Sequence, residues 1–285
     1  MQGRKIAKTV RTMEGRNMYA EEIPYIEDEI DDLSSEEKRE NWDIALGLQA
    51  VDNLTPSKYL YSLVEDNIAG KKTYSEVVDK VEEYHASGKS NPDEKEADIV
   101  SVRMNRILAE AGFSFRPGTL KRFHRLLFDG QLPPNFPVGE YRTKDIKKRG
   151  RVLDGKSVEY ETSDTIEEAL ATDFEREKIF NYSKISTVEK AHHAMQFISG
   201  IWRIHPFREG NTRTTTLFGI KHLRSLGFSV GNEPFRDNSK WYRDALVLDN
   251  YPADRHPEYL QMFTENILLG AKNILPKEIP TLQNR

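Results

Sequence analysis

The sequence predicts an all-α fold: a helical core with a β-hairpin flap, preceded by a small helical bundle. Three observations carry this. Apolar residues recur at three-to-four spacing over most of the chain. The connections between those stretches are short and punctuated by proline and glycine. Strict alternation, the strand signature, occurs in one place only, behind Asp154-Gly155.

In chain order, Ser35 is placed to cap a helix running through Trp42, Ile44, Leu46, Leu48 and Val51. Leu54-Thr55-Pro56-Ser57 breaks it, because proline disfavours helix in the residue before it and suits the first turn of the next one. A second helix carries Leu60, Leu63, Val64 and Ile68 and stops at Gly70. A third starts near Thr73 or Ser75 and presents Val77, Val78, Val81 and Tyr84. Three short helices have little core of their own, so they are expected to pack on the larger helical unit C-terminal to them. Residues 86–92 read as a linker by composition, Ala-Ser-Gly-Lys-Ser-Asn-Pro. Residues 95–128 and 185–202 then read as long amphipathic helices. The second is lined by Ile185, Val188, Ala191, Met195, Ile198 and Trp202, with Ser186 and Glu189 forming a capping box. Between them, Val152-Leu153-Asp154-Gly155 leads into the alternating Ser157–Thr162 stretch as a hairpin. The domain expectation is a leader over 1–40, a helical module over 41–88 and a larger unit over 95–275.

The chain has 285 residues, 42 Lys+Arg against 46 Asp+Glu, a net charge of −4 and no cysteine. Without thiols there are no cysteine nucleophiles, disulfide frameworks or cysteine-ligated metals. No apolar run approaches the ~18 residues that span a bilayer, and the N-terminus lacks a secretory apolar stretch. A cytoplasmic protein that touches no membrane is the expectation. Charge is uneven: residues 1–16 carry +4 and residues 21–37 carry −9, while the body is close to neutral. That pattern does not suit a nucleic-acid groove. The leader reads as a solvated arm or as a partner-docking segment.

The chemically informative segment is His205-Pro206-Phe207-Arg208-Glu209-Gly210-Asn211-Thr212-Arg213. It links the helix ending near Trp202 to one expected from about Thr214, holding Leu217, Ile220 and Leu223. A loop feeding a helix N-terminus presents free N–H groups to an anion. Gly210 and Asn211 tolerate the left-handed backbone that folds those groups into a nest, and Arg213 adds a fork of donors suited to phosphate. Glu209 beside an anion implies an intervening divalent cation, for which Mg²⁺ held by one carboxylate and substrate phosphates is the usual solution. His205 is a titratable base at the lip of that site.

This segment resembles the signature of Fic-domain proteins: His-Pro-Phe, one variable residue, an acidic residue, then Gly-Asn-Gly-Arg. Thr212 replaces the second glycine. The resemblance extends over about residues 95–270 and includes Gly139-Glu140-Tyr141-Arg142 ahead of the hairpin. It implies a protein adenylyltransferase that moves AMP from ATP, with Mg²⁺, to a hydroxyl of a target protein. Carried over by position, His205 would be the base, Glu209 the metal ligand, and Gly210, Asn211, Thr212 and Arg213 the nucleotide-binding group, with Phe207 a buried anchor. Lys156, Ser157, Val158, Glu159, Tyr160 and Glu161 would form a flap that docks the target by strand addition. Self-modification and self-association are left open.

A second resemblance concerns residues 42–85, which look like the helical antitoxin module that silences many Fic domains. That module carries Ser/Thr, three variable residues, Glu, then Gly or Asn, and its glutamate pairs with a second arginine three residues after the first. Here the stretch is Leu48-Gln49-Ala50-Val51-Asp52-Asn53, and the second arginine's position is Thr216. Asp52 and Asn53 are the inhibitory candidates, and an Asp52–Thr216 contact could be no more than one neutral-donor hydrogen bond. Weakened or absent inhibition is therefore expected, with Glu14-Gly15 as a competing inhibitory site.

His192, His193, Arg203 and Arg208 read as packing or surface residues. Trp241 and Tyr242 read equally as core aromatics or as flanks for an adenine ring. Two further functions stay open: a degenerate nucleotide-binding regulatory protein, and transfer of another phosphate-linked group such as UMP, phosphate or phosphocholine.

Overall fold

The computed structural model describes residues 30–88 and 90–284, and among these the regular structure is helical. The leader is thus described only from Ile30, and Glu14 lies outside the described residues. Ten α-helices lie wholly within the described residues: α1 Ser35–Gly47, α2 Lys58–Ile68, α3 Tyr74–Ala86, α4 Pro92–Ala109, α5 Pro117–Phe128, α6 Ile166–Ile179, α7 Thr187–Ile204, α8 Asn211–Ser225, α9 Glu233–Asp249 and α10 Pro257–Leu268. Among the described residues no helix is long and apolar enough to cross a membrane.

Local chemistry explains most boundaries. Capping boxes start α1 at Ser34 with Glu37, α3 at Thr73 with Glu76, and α7 at Ser186 with Glu189. The α1 cap is Ser34 rather than Ser35. The helix also yields at Gly47 to a 3₁₀ turn, Leu48–Asp52, so the expected run to Val51 is two elements. The expected long helix over 95–128 is likewise two. Residues 110–116 leave the helical ladder, and Arg116 takes the extended backbone that its following proline imposes while Pro117 opens α5. The helix after the motif begins at Asn211, three residues earlier than Thr214.

The flap segment contains no paired strands. Val152 and Leu153 are fully buried inside a 3₁₀ turn, Arg151–Leu153, and Asp154 and Gly155 close it with positive φ. Burying two consecutive apolar side chains breaks the in-out alternation a hairpin needs. One antiparallel bridge, Arg149 with Ser157, is what forms.

Two apolar clusters hold the molecule. One lies among α1–α4 around Trp42, Leu60, Leu63, Tyr74 and Val77, where the Trp42 indole N–H donates to Asn67 at 2.9 Å. The other runs through α5 to α10 around Phe123, Phe128, Trp202, Phe207, Phe218 and Phe263. Helix α1 serves both: Trp42 and Leu46 face the first, Ile44 and Ala45 the second, which Leu48 of the 3₁₀ turn also joins. The close approach of α1 to α9 requires Gly47, since a Cβ there would lie 2.4 Å from the carbonyl oxygen of Phe235.

Candidate active site

Helix α7 ends on His205, whose backbone is left-handed at φ 52°, ψ 59°. This geometry is uncommon for a non-glycine residue and costs roughly 1–2 kcal/mol. Arg142 holds it. The buried guanidinium donates from Nε to the His205 carbonyl at 2.9 Å and from Nη2 to the carbonyls of Ile204 and Glu161, while the Arg142 backbone N–H reaches Pro206 at 2.9 Å. Beyond the proline, Phe207 is fully buried and stacks on His124 with ring centroids 4.0 Å apart. His124 accepts at Nδ1 from the Gly139 N–H and donates from Nε2 to the Glu209 carbonyl. Burial lowers its pKa to about 4, so it remains a neutral strut. Asn211 completes the loop, its amide bonding both the N–H and the carbonyl of Phe207 at 2.8 and 2.7 Å.

Gly210 caps α8 at φ 71°, and no side chain takes the N–H groups of the first turn. A Cβ at Gly210 would lie 2.4 Å from the Phe128 ring, so both space and backbone demand glycine. Thr212, where the resembling family has glycine, turns its hydroxyl inward to accept from the Trp202 indole at 2.9 Å. The departure is absorbed by the core, and the uncapped helix start is preserved.

His205 is 3 % exposed, and burial, followed by the positive field of Lys148, pulls its pKa well below the ordinary histidine value; Arg142 and Arg243 add to this. Its Nδ1 lies 3.0 Å from the Trp202 carbonyl, which can only accept. Nδ1 therefore carries the proton and Nε2 the lone pair. The ring lines a cavity with Gly210, Asn211, Thr212, Tyr160 and Asp52. The cavity's free volume is about 30 Å³, room for about two waters and far below a nucleotide.

Glu209 is 43 % exposed at its side chain and pairs with Lys148 at 2.8 Å. Arg213 is 3 % exposed and surrounded: Nη1 donates to Gln49 at 3.0 Å, Nη2 to Glu96 at 2.7 Å, and the guanidinium lies over Phe128 at 4.6 Å. Asp52 Oδ2 sits 2.7 Å from Arg213 Nε but off the N–H direction, which makes the contact an ion pair rather than a directed hydrogen bond. The expected Asp52–Thr216 contact is not formed. Thr216 donates instead to the Thr212 carbonyl at 2.7 Å, and the aspartate, short as it is, reaches the first motif arginine because the 3₁₀ turn abuts α8. Asn53 is exposed and ends that turn in the left-handed conformation, φ 61°.

Of the flap residues, Val158 is buried, Lys156 and Glu159 are exposed, and Tyr160 lies against His205 with centroids 4.2 Å apart and the rings tilted by 38°. Ser157 Oγ accepts from the Lys148 N–H, and Glu161 pairs with Arg203. His193 stacks on Phe180 and His192 lies near Glu265, both away from the motif loop. Trp241 and Tyr242 pack on Phe263 as core aromatics. Sequence reasoning missed Gln49, Glu96, His124, Lys148 and Arg243. Nothing local marks them, because each reaches the site across the fold.

The structure is similar to that of a Fic family protein from Desulfovibrio desulfuricans, 20 % identical with a TM-score of 0.53 over 80 % of this chain and 62 % of that one. It is also similar to a Fic domain containing signaling protein from Bacteroides thetaiotaomicron, 16 % identical with a TM-score of 0.51 over 81 % of each chain. At these identities the likeness is one of fold. The chain spans about three fifths of the length of the first of these proteins. No curated protein matches it. Residues 114–223, which carry His124, Arg142, His205 and Arg213, match the Fic/DOC family.

Proposed function

We propose that this protein is a protein adenylyltransferase, moving AMP from ATP to a Ser, Thr or Tyr hydroxyl of a target protein, itself included. The observation that carries the reading is the meeting of the His205 ring, its lone pair on Nε2, with the uncapped start of α8 in one cavity. Nε2 takes the proton of the acceptor hydroxyl. The oxygen forms a bond to the α-phosphorus as the bond to pyrophosphate breaks, and the first-turn amides and Arg213 hold the phosphate oxygens. Arg142, His124 and Asn211 keep that geometry fixed. Residues 156–161 would present the target, and residues 41–88 would act as the restraining module of the 95–275 unit.

Mg²⁺ fits the donor set. Among the described residues no cluster of three potential ligands exists, but one partly exposed carboxylate suits an ion that otherwise keeps water and phosphate oxygens. Glu209 would hold it, exchanging its Lys148 partner, and the ion would neutralise phosphate charge.

The test is incubation with labelled ATP, Mg²⁺ and candidate acceptors. His205→Ala should lower transfer by at least about 10²-fold with the melting curve unchanged. Label transfer persisting in that variant removes the base assignment. A second reading, transfer of another phosphate-linked group, is favoured by a cavity whose charged lining is mostly cationic and suited to phosphate. Comparing ATP, GTP, UTP, CTP and CDP-choline as donors separates the two. Binding without transfer points to a regulatory protein.

A further inference from the structure

We propose that Arg243 of α9 is a second phosphate-holding cation of this site, filling the role that Thr216 leaves open, and that the donor therefore carries at least two linked phosphates. The assignment rests on the transfer reading above.

Thr216 cannot serve. Its side chain is buried and its hydroxyl is spent on the Thr212 carbonyl. Arg243 lines the same cavity as His205, Gly210 and Asn211, approaching from a different helix. Lys148 and Arg149 line it too, so the charged lining is three cations against Asp52. Among the described residues Arg243 forms no ion pair; its hydrogen bond goes from Nη1 to the Val51 carbonyl at 2.9 Å. A half-buried guanidinium tied to one neutral carbonyl has most of its donor fork free for an anion. The field of Arg243 also reaches His205 and Tyr160, which places the charge next to the reacting region.

The 3₁₀ turn Leu48–Asp52 links the two cations. Its Gln49 and Asp52 hold Arg213, and its Val51 carbonyl holds Arg243. A ligand that draws on both arginines therefore releases one and the same turn. A single phosphate can engage only one and leaves the turn half fastened. The site is thereby built to prefer a di- or triphosphate over a monophosphate.

Calorimetric titration of the full chain with magnesium pyrophosphate, ADP and AMP tests this, using the wild type, Asp52→Ala, and Asp52→Ala combined with Arg243→Ala or Arg243→Lys. We expect Asp52→Ala to bind ADP and pyrophosphate more tightly than the wild type. Adding Arg243→Ala should weaken both ligands by about tenfold or more while leaving AMP within about twofold. Arg243→Lys should restore part of the loss. If Arg243 only anchored Val51, its removal would loosen the turn and strengthen all three ligands alike, and that outcome overturns the assignment. Equal weakening of AMP and ADP overturns it as well. Failure of every variant to bind any of the three removes both this assignment and the reading beneath it, whereas the expected pattern without any transfer activity removes only the transfer reading.

Discussion

His205 combines a costly left-handed backbone, a buried ring and a defined tautomer, and each has a separate cause. The backbone is held by Arg142, the tautomer by the Trp202 carbonyl, and the depressed pKa chiefly by burial. Water stabilises imidazolium and the buried site does not, so the neutral base persists at pH values where an ordinary histidine, near ~6.5, would be half protonated. The single-turnover transfer rate should accordingly stay level as pH falls through the ordinary histidine range and drop only below it. A midpoint at the ordinary histidine value would mean an imidazole bathed in water. The loop was legible in the motif, and Gly210 takes the left-handed backbone read for it, whereas Asn211 opens α8 in helical backbone and the second left-handed residue is His205. Their supports were not, since nothing in residues 124, 142 or 148 points along the chain to residue 205.

Among the elements, starts were read better than ends. The box at Ser186, a hydroxyl answered by a carboxylate three residues on, appears as read, and the helix expected near Thr73 or Ser75 starts behind an unread box of the same kind at Thr73. The 95–128 helix was overextended because apolar spacing continues across residues 110–116 while the backbone breaks before Pro117. Helix α1 is the element that delivers the 3₁₀ turn to α8, at its C-terminal end. Its packing on α9 tolerates no side chain at Gly47: the atoms an added Cβ would meet, at 2.4 to 2.8 Å, are all backbone. Gly47→Ala should lower unfolding stability by roughly 1–3 kcal/mol, read from the midpoint of urea denaturation. An unchanged midpoint would show that α1 shifts freely against α9.

At the scale of the whole molecule, the N-terminal helices and the motif loop are tied through one cation. Arg213 receives Gln49 and Asp52 from the 3₁₀ turn and Glu96 from α4. The two carboxylates are a quarter to a third exposed, so each pair contributes about 1 kcal/mol rather than the larger value of a dry ion pair. By linkage, whatever holds Arg213 in the free protein weakens ligands that need it. Glu96→Gln should therefore tighten ADP binding about threefold to tenfold in an isothermal titration. Unchanged affinity would show that Arg213 is free to turn toward phosphate without leaving α4.

What the sequence determined by itself was the helical class, the starts of α1, α3 and α7 to within a residue or two, and the loop at 205–213, because periodicity, capping and glycine placement act within a few residues. The tertiary structure decided which charges meet. Arg213 finds Gln49 at a separation of 164 residues and Glu96 at 117, and Asp52 reaches that arginine rather than Thr216. An ion pair depends on distance through space, and that distance was set by the packing of α1 and α4 against α8, which no local pattern encodes.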